Sequence, residues 1–200
     1  MATTTPPRAA QIERSTKETE IRLKLNLDGT GASELSTGVG FLDHMLELLA
    51  RHSRIDLEVR ATGDLETGAH HTTEDVGIVL GKALDEALGD RSGITRYGDA
   101  TVPMDEALGS CAIDISGRPY CSFQATLPPT SIAGFDTELA EEFFRAVANN
   151  AKLTLHLQVS EGVNAHHIIE AAFKSFARAL RQAISLDSAE AGVPSTKVVL

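Results

Sequence analysis

Between Ile21 and Leu27 the chain reads IRLKLNL, apolar residues alternating with charged or polar ones, and Asp28-Gly29-Thr30-Gly31 follows. A period of two that runs into a turn signal predicts a half-buried strand of a hairpin. Phe41, Leu42, Met45, Leu46, Leu49 and Ala50 share one face of a 3.6-residue period, which predicts a helix over 41–52. Ile55, Leu57 and Val59 alternate with Asp56, Glu58 and Arg60 as another strand. The run VGIVLGKALDEAL after His71 is a helix ending near Gly89. The first half therefore reads strand, strand, helix, strand, helix.

The second half repeats that order, and the residues themselves align. Leu49, Ala50 and Leu57 recur 98 positions on as Val147, Ala148 and Leu155. Ala69, His70, His71, Glu74, Ala83, Leu84 and Ala87 recur 96 positions on as Ala165, His166, His167, Glu170, Ala179, Leu180 and Ala183. Upstream, LNLDG at Leu25 to Gly29 matches IDISG at Ile113 to Gly117. One unit is written twice. The expected fold is α+β: two tandem repeats, each a small mixed or antiparallel sheet with two helices packed on one face. The expected boundaries are a disordered tail over 1–10, a first repeat over 11–92 and a second over 93–200, the two repeats sharing one compact domain.

Composition narrows the function. A 200-residue chain with 42% hydrophobic residues can bury an ordinary core, which excludes a disordered protein. With 18 Lys+Arg against 28 Asp+Glu the net charge is −10, a field that opposes nucleic acid and anionic membranes. An anionic ligand would need a local cationic pocket. The aliphatic stretch Val76 to Leu80 is far too short to span a bilayer, and the N-terminal MATTTPPRAAQIERSTKETE has no apolar core of a secretory signal. Cys111 and Cys121 lack CxxC spacing, so neither a disulfide framework nor a thiolate zinc site is expected, and a cytoplasmic setting fits.

Of seven histidines, four form two HH pairs, each opening an HHxxE block: His70-His71-Thr72-Thr73-Glu74 and His166-His167-Ile168-Ile169-Glu170. On a helix the first His and the Glu share a face and the second His lies within reach. Each block can thus present imidazole nitrogen and carboxylate oxygen to a metal. Polar residues at a helix N-terminus are the bland reading of one block; two blocks in register of a repeat favour metal. Nitrogen and oxygen donors without thiolate suit Mn, Fe, Ni or Zn. His44, on the flank of an apolar helix, and His156, alternating with Leu155 and Leu157, would each ordinarily be structural. Two metals wanting four or more ligands apiece make them the best-placed extras. His52, at a helix end, suits capping as well. Arg96, Arg118, Lys174, Ser195 and Lys197 form a set that a phosphate-bearing substrate would require, although Lys174 also stands i+4 from Glu170 and can pair with it.

The string GVNAHHIIEAAFK at Gly162 to Lys174, with HHTTED, FLDHM, SGRPY and PSTK, closely resembles the imidazoleglycerol-phosphate dehydratase family from about Gln11 to Leu200. With no phosphatase domain ahead of it, the chain resembles the monofunctional form. The resemblance implies conversion of D-erythro-imidazole glycerol phosphate to imidazole acetol phosphate plus water, in histidine biosynthesis. The hydrogen lost sits on a carbon that is not acidic. A ring held by metal at both nitrogens becomes imidazolate and expels the neighbouring hydroxyl, giving a diazafulvene whose C–H a base can take; the enol then tautomerises to the ketone. By resemblance His44, His70, His71, Glu74, His156, His166, His167 and Glu170 hold metal, two Mn²⁺ per active site with other divalent ions possible. Glu18, which has no special signal of its own, is implied as the general base and substrate contact. His52, Arg96, Arg118, Lys174, Ser195 and Lys197 are implied as substrate contacts. The implied assembly is a 24-subunit shell of trimers with sites shared between subunits. One departure is Gly68, where the family's first block usually has an acidic residue two before HH. A metal-dependent hydrolase, separable by release of inorganic phosphate, and a non-catalytic metal-buffering shell are the rival readings.

Overall fold

The computed structural model describes residues 7–197 and 200. The first half runs β1 (Ala9–Ser15), β2 (Thr19–Asn26), β3 (Ser33–Ser36), α1 (Gly40–Ser53), β4 (Asp56–Gly63) and, after a short 3-10 turn at Leu65–Thr67, α2 (His70–Leu88). The second runs β5 (Tyr97–Met104), β6 (Ala107–Asp114), β7 (Tyr120–Ala125), the small pair β8 (Ser131–Ile132) and β9 (Phe135–Asp136), α3 (Leu139–Ala151), β10 (Thr154–Glu161) and α4 (Ala165–Ala183).

The duplication is visible in topology. The sheets have orders β1-β2-β4-β3 and β5-β6-β10-β7, three strands antiparallel and the last parallel to its neighbour, so each is mixed. In β2, Ile21, Leu23 and Leu25 are buried while Glu20, Arg22 and Lys24 face out. In β10, Leu155, Leu157 and Val159 are buried while His156 and Gln158 face out. Each sheet thus turns one apolar face to helices. α2 covers the first sheet, α4 the second, and the helices cross-pack, α1 on α4 and α2 on α3. The core lies in this shared helical layer, with Phe143, Phe144, Phe173 and Phe176 fully buried there.

Folding starts earlier than the expected Gln11: Ala9 and Ala10 belong to β1, pairing with Asn26 and Leu25. Backbone pairing to β2 needs no apolar signal from the added strand, and two alanines supply none. Arg8, also within the expected tail, donates to Asp28 at 3.1 Å and to the Ile184 carbonyl at 2.6 Å, and residues 1–6 lie outside the described residues.

Two glycines set the register of one helix pair. A Cβ on Gly77 would stand 2.9 Å from both the Phe143 carbonyl oxygen and the Ala146 Cβ, and one on Gly81 would stand 2.7 Å from the Val147 oxygen and the Asn150 Cβ. α2 and α3 therefore approach backbone to backbone and run in the same direction. One turn back toward their N-termini, the Thr73–Glu74 level of α2 meets the 139–142 level of α3.

Candidate metal centre

The second HHxxE block opens α4, where Asn164 caps the helix by accepting the His166 amide at 2.9 Å. His166 and Glu170 share a face across one turn, and α1 lays His44 against them. One ligand atom from each of His44, His166 and Glu170 lies within 4.8 Å of the other two. The Glu170 carboxylate is buried and its two oxygens are divided. Oε2 lies 3.0 Å from His166 Nε2 and 3.6 Å from His44 Nε2, and Oε1 accepts the Lys174 ammonium at 2.6 Å. Burial raises the pKa of this carboxyl, but the Lys174 hydrogen bond and charge and the His166 contact outweigh it, so the group titrates below its ordinary range. Two imidazoles and an ionised carboxylate converging in this way fit a divalent cation of borderline softness.

α1 packs along α4 beyond this group. His52, one of the implied substrate contacts, has its pKa lowered by burial and by the Lys174 and Arg178 charges. Lys174 also contacts the Met104 sulfur at 3.2 Å.

The first block is more open. His70 and Glu74 lie 3.9 Å apart at the start of α2, with side chains 53% and 46% exposed. Their third neighbour was not foreseen from the sequence. One turn back from the Gly77 and Gly81 contacts, the level of α3 that includes Glu142 faces the Thr73–Glu74 level of α2. The signal was available: the offset of 98 that carries Leu49 to Val147 carries His44 to Glu142.

In both blocks the second histidine is held by a carboxylate. His71 Nδ1–H donates to Asp64, 3.0 and 3.1 Å from its two oxygens, and His167 Nδ1–H donates to Glu106 at 2.7 Å. Both histidines titrate above their ordinary value for this reason. Glu106 is driven down to about 2 by the Asn164 amide, His167 and the Val163 amide. The missing acid at Gly68 thus leaves His71 with a partner, Asp64.

Glu18 sits at the tip of the β1–β2 hairpin. Its backbone oxygen accepts the Asp64 amide at 3.1 Å, and its charge acts on His71. The hairpin is pinned to α2 by buried Asp75, which accepts Arg14 Nε at 2.9 Å and Thr19 Oγ1 at 2.5 Å. The expected base is therefore brought to the first block.

Other expected residues are dispersed. His156 is not brought to either block within the chain: strand alternation turns it to the outer face of the second sheet, against Tyr120 at a ring distance of 5.3 Å, away from the helical layer that carries the blocks. Arg96 is clamped by Asp114 at 2.7 and 3.2 Å and donates to the Pro194 carbonyl at 2.8 Å, tying the Ser195–Lys197 turn to it. Leu200 packs on Gly117 beside Arg118. Arg96, Arg118, Ser195 and Lys197 thus gather near the C-terminal end of α4, where the Arg96 amide meets the Ala183 oxygen at 2.9 Å. Lys174 is about 13 Å back along that helix at 1.5 Å per residue. Within one chain the cationic set is two groups, not one.

Cys111 and Cys121 are both free thiols. Burial raises both pKa values, that of Cys121 to about 11, which suits neither metal ligation nor nucleophilic work. Among the described residues no helix is long and apolar enough to cross a membrane.

Fold and site together define a duplicated α+β protein with imidazole–carboxylate ligand groups carried on its helical layer. The family model described as imidazoleglycerol-phosphate dehydratase matches residues 37–180. The chain belongs to the imidazoleglycerol-phosphate dehydratase family. It is 59% identical over 194 residues to the enzyme of that name from Xanthobacter autotrophicus, covering 96% of this chain and 98% of that one. It is 58% identical over 190 residues to that from Geobacter sulfurreducens, covering 95% and 97%. The crystal structure of imidazoleglycerol-phosphate dehydratase from Staphylococcus aureus superposes with a TM-score of 0.82 at 46% identity, covering 90% of this chain and 99% of that one. The Pyrococcus furiosus enzyme, solved in complex with (S)-C348, gives 0.81 at 39% identity, covering 94% and 100%.

Proposed function

We propose that this chain dehydrates D-erythro-imidazole glycerol phosphate to imidazole acetol phosphate in histidine biosynthesis, a hydro-lyase reaction run in the cytoplasm. The observation that carries the reading is the convergence of His44, His166 and Glu170 in a chain of this family. A substrate with an imidazole ring next to the hydroxyl it must lose suits a protein whose two repeats each end on imidazole and carboxylate donors.

His44, His166 and Glu170 hold one divalent ion, and His70, Glu74 and Glu142 hold a second. Manganese, bound there, supplies Lewis acidity toward the nitrogens of the substrate ring. His71 and His167, each with Nδ1 occupied, present Nε2 outward and complete the ligand sets of neighbouring copies. His156 takes no part in this assignment. The supporting observation is that the donors of the first block are about half exposed within one chain. The assembly is a homo-oligomer, a 24-subunit shell of trimers, with each site shared between subunits.

The residues of the chain divide the remaining work. Glu18 accepts the proton from the substrate carbon whose C–H is broken, because its carboxylate is not engaged by any described residue. His52 contacts a substrate hydroxyl. Lys174 from one copy and the Arg96, Arg118, Ser195 and Lys197 group from another clamp the phosphate, which orients the ring.

Incubation of the Mn²⁺-loaded protein with imidazole glycerol phosphate should produce the ultraviolet absorbance of the enol form of the ketone product, with no inorganic phosphate. Phosphate release without that absorbance would assign a hydrolase instead.

A further inference from the structure

The two halves restrain their second histidines with carboxylates that are not counterparts in the repeat. The offset of 88 that carries LNLDG onto IDISG also carries the β1–β2 hairpin onto β5–β6, and so Glu18 onto Glu106. In the second half the hairpin glutamate is fully committed: Oε1 accepts the Val163 and Asn164 amides at 3.1 and 2.9 Å, and Oε2 accepts His167 Nδ1–H at 2.7 Å. In the first half the hairpin glutamate has no side-chain hydrogen bond or ion pair among the described residues. His71 Nδ1–H is taken by Asp64, from the turn after β4.

We propose that Asp64 and Glu106 are equivalent positioning residues, each fixing the Nδ1–H tautomer of its histidine so that Nε2 keeps its lone pair for a divalent cation. We further infer that Asp64, by taking this duty at His71, releases Glu18 from the role its counterpart performs. The inference rests on the metal-binding reading above. A carboxylate on Nδ1–H fixes ring orientation and raises the basicity of the other nitrogen. An amide in its place can donate to Nδ1, which moves the ring proton to Nε2 and blocks coordination. Substitution in the middle of the Glu106 contact set is conservative for the loop, because the carbonyl of Gln still accepts the Val163 and Asn164 amides.

The test is calorimetric titration of Mn²⁺ into chelator-stripped protein, with the thermal midpoint of the stripped protein measured alongside. Asp64→Asn and Glu106→Gln should each weaken Mn²⁺ binding roughly 10- to 100-fold, the usual effect of removing a carboxylate behind a histidine ligand, with the midpoint nearly unchanged. Glu18→Gln should leave Mn²⁺ affinity as it is. Asp64→Ala should let Glu18 swing to His71, partly restoring Mn²⁺ affinity above that of Asp64→Asn; the double variant Asp64→Ala/Glu18→Gln should lose that recovery. If the wild-type protein takes up no Mn²⁺, the metal reading itself fails. If it does and both Asp64→Asn and Glu106→Gln bind as tightly as wild type, the positioning roles are refuted. If Glu18→Gln adds nothing to Asp64→Ala, the release of Glu18 is refuted.

Discussion

Two helix N-termini carry the same HHxxE sequence, yet one is assembled and the other open. At α4 the glutamate is buried, bonded to Lys174 and His166 and approached by His44; at α2 its counterpart Glu74 is half exposed and 3.9 Å from His70. The cause lies in neighbours the motif does not contain. Lys174 is matched at the offset of 96 by Ile78, and His44 at the offset of 98 by Glu142. A buried carboxylate is stable when lysine and imidazole donors satisfy it; with an isoleucine one turn on, Glu74 has no such lysine and stays half exposed. Identical motifs therefore make one converged ligand group and one that stays open within the chain.

The hairpin glutamates mark the sharpest contrast between the halves. Glu18→Gln should lower kcat roughly 10²- to 10⁴-fold with metal content and oligomer size unchanged, the range of a positioned acid–base group. Steady-state kinetics beside elemental analysis checks this, and more than about a tenth of kcat retained would move the search to another base.

The cationic residues should show a graded response. Lys197→Ala should weaken binding of a phosphate-bearing substrate analogue by roughly 10- to 100-fold, the worth of a charge-assisted hydrogen bond, and leave metal content intact. Titration calorimetry reads both. Lys174→Met tests the assembled block directly: with Glu170 deprived of its lysine, the stripped protein should lose about 1–3 kcal/mol in a denaturant melt. Ile78→Met, at the matching place in α2, should change little.

The smallest effect is on pH. Glu106 ionises well below its ordinary value and His167 titrates above its own, so their attraction is complete only between the two. On the carboxylate side the folded value is lowered, so its share of stability is present above about 4.5 and is lost as pH falls toward about 2. On the imidazole side the folded value is raised, so that share is present below the ordinary 6.5 and is lost as pH rises through the folded value. The stability difference between wild type and Glu106→Gln should therefore be widest in weak acid and narrow on either side.

Much of this was legible in the chain itself. IRLKLNL fixed the faces of β2, and the apolar period over 41–52 marked α1 within a residue at each end. The HH repeat exposed the duplication and both candidate blocks. The short strands were not legible: β3 carries one apolar residue, Leu35, and β8 and β9 have two residues each. The outward position of His156 was legible too, in its alternation with Leu155 and Leu157. Glu142 shows the reverse. The repeat offset pointed to it, but a glutamate in EEFF has no local signal, and only the close approach of α2 to α3 at Gly77 and Gly81 gives it a role.

The central claim is that the chain carries two ligand groups of unequal construction, and metal stoichiometry tests it most directly. Elemental analysis after mild dialysis should find close to two divalent ions per chain in the wild type, and close to one in both His44→Ala and Glu142→Ala. Fewer than one ion in an active wild-type protein, or two ions retained in Glu142→Ala, would contradict the account.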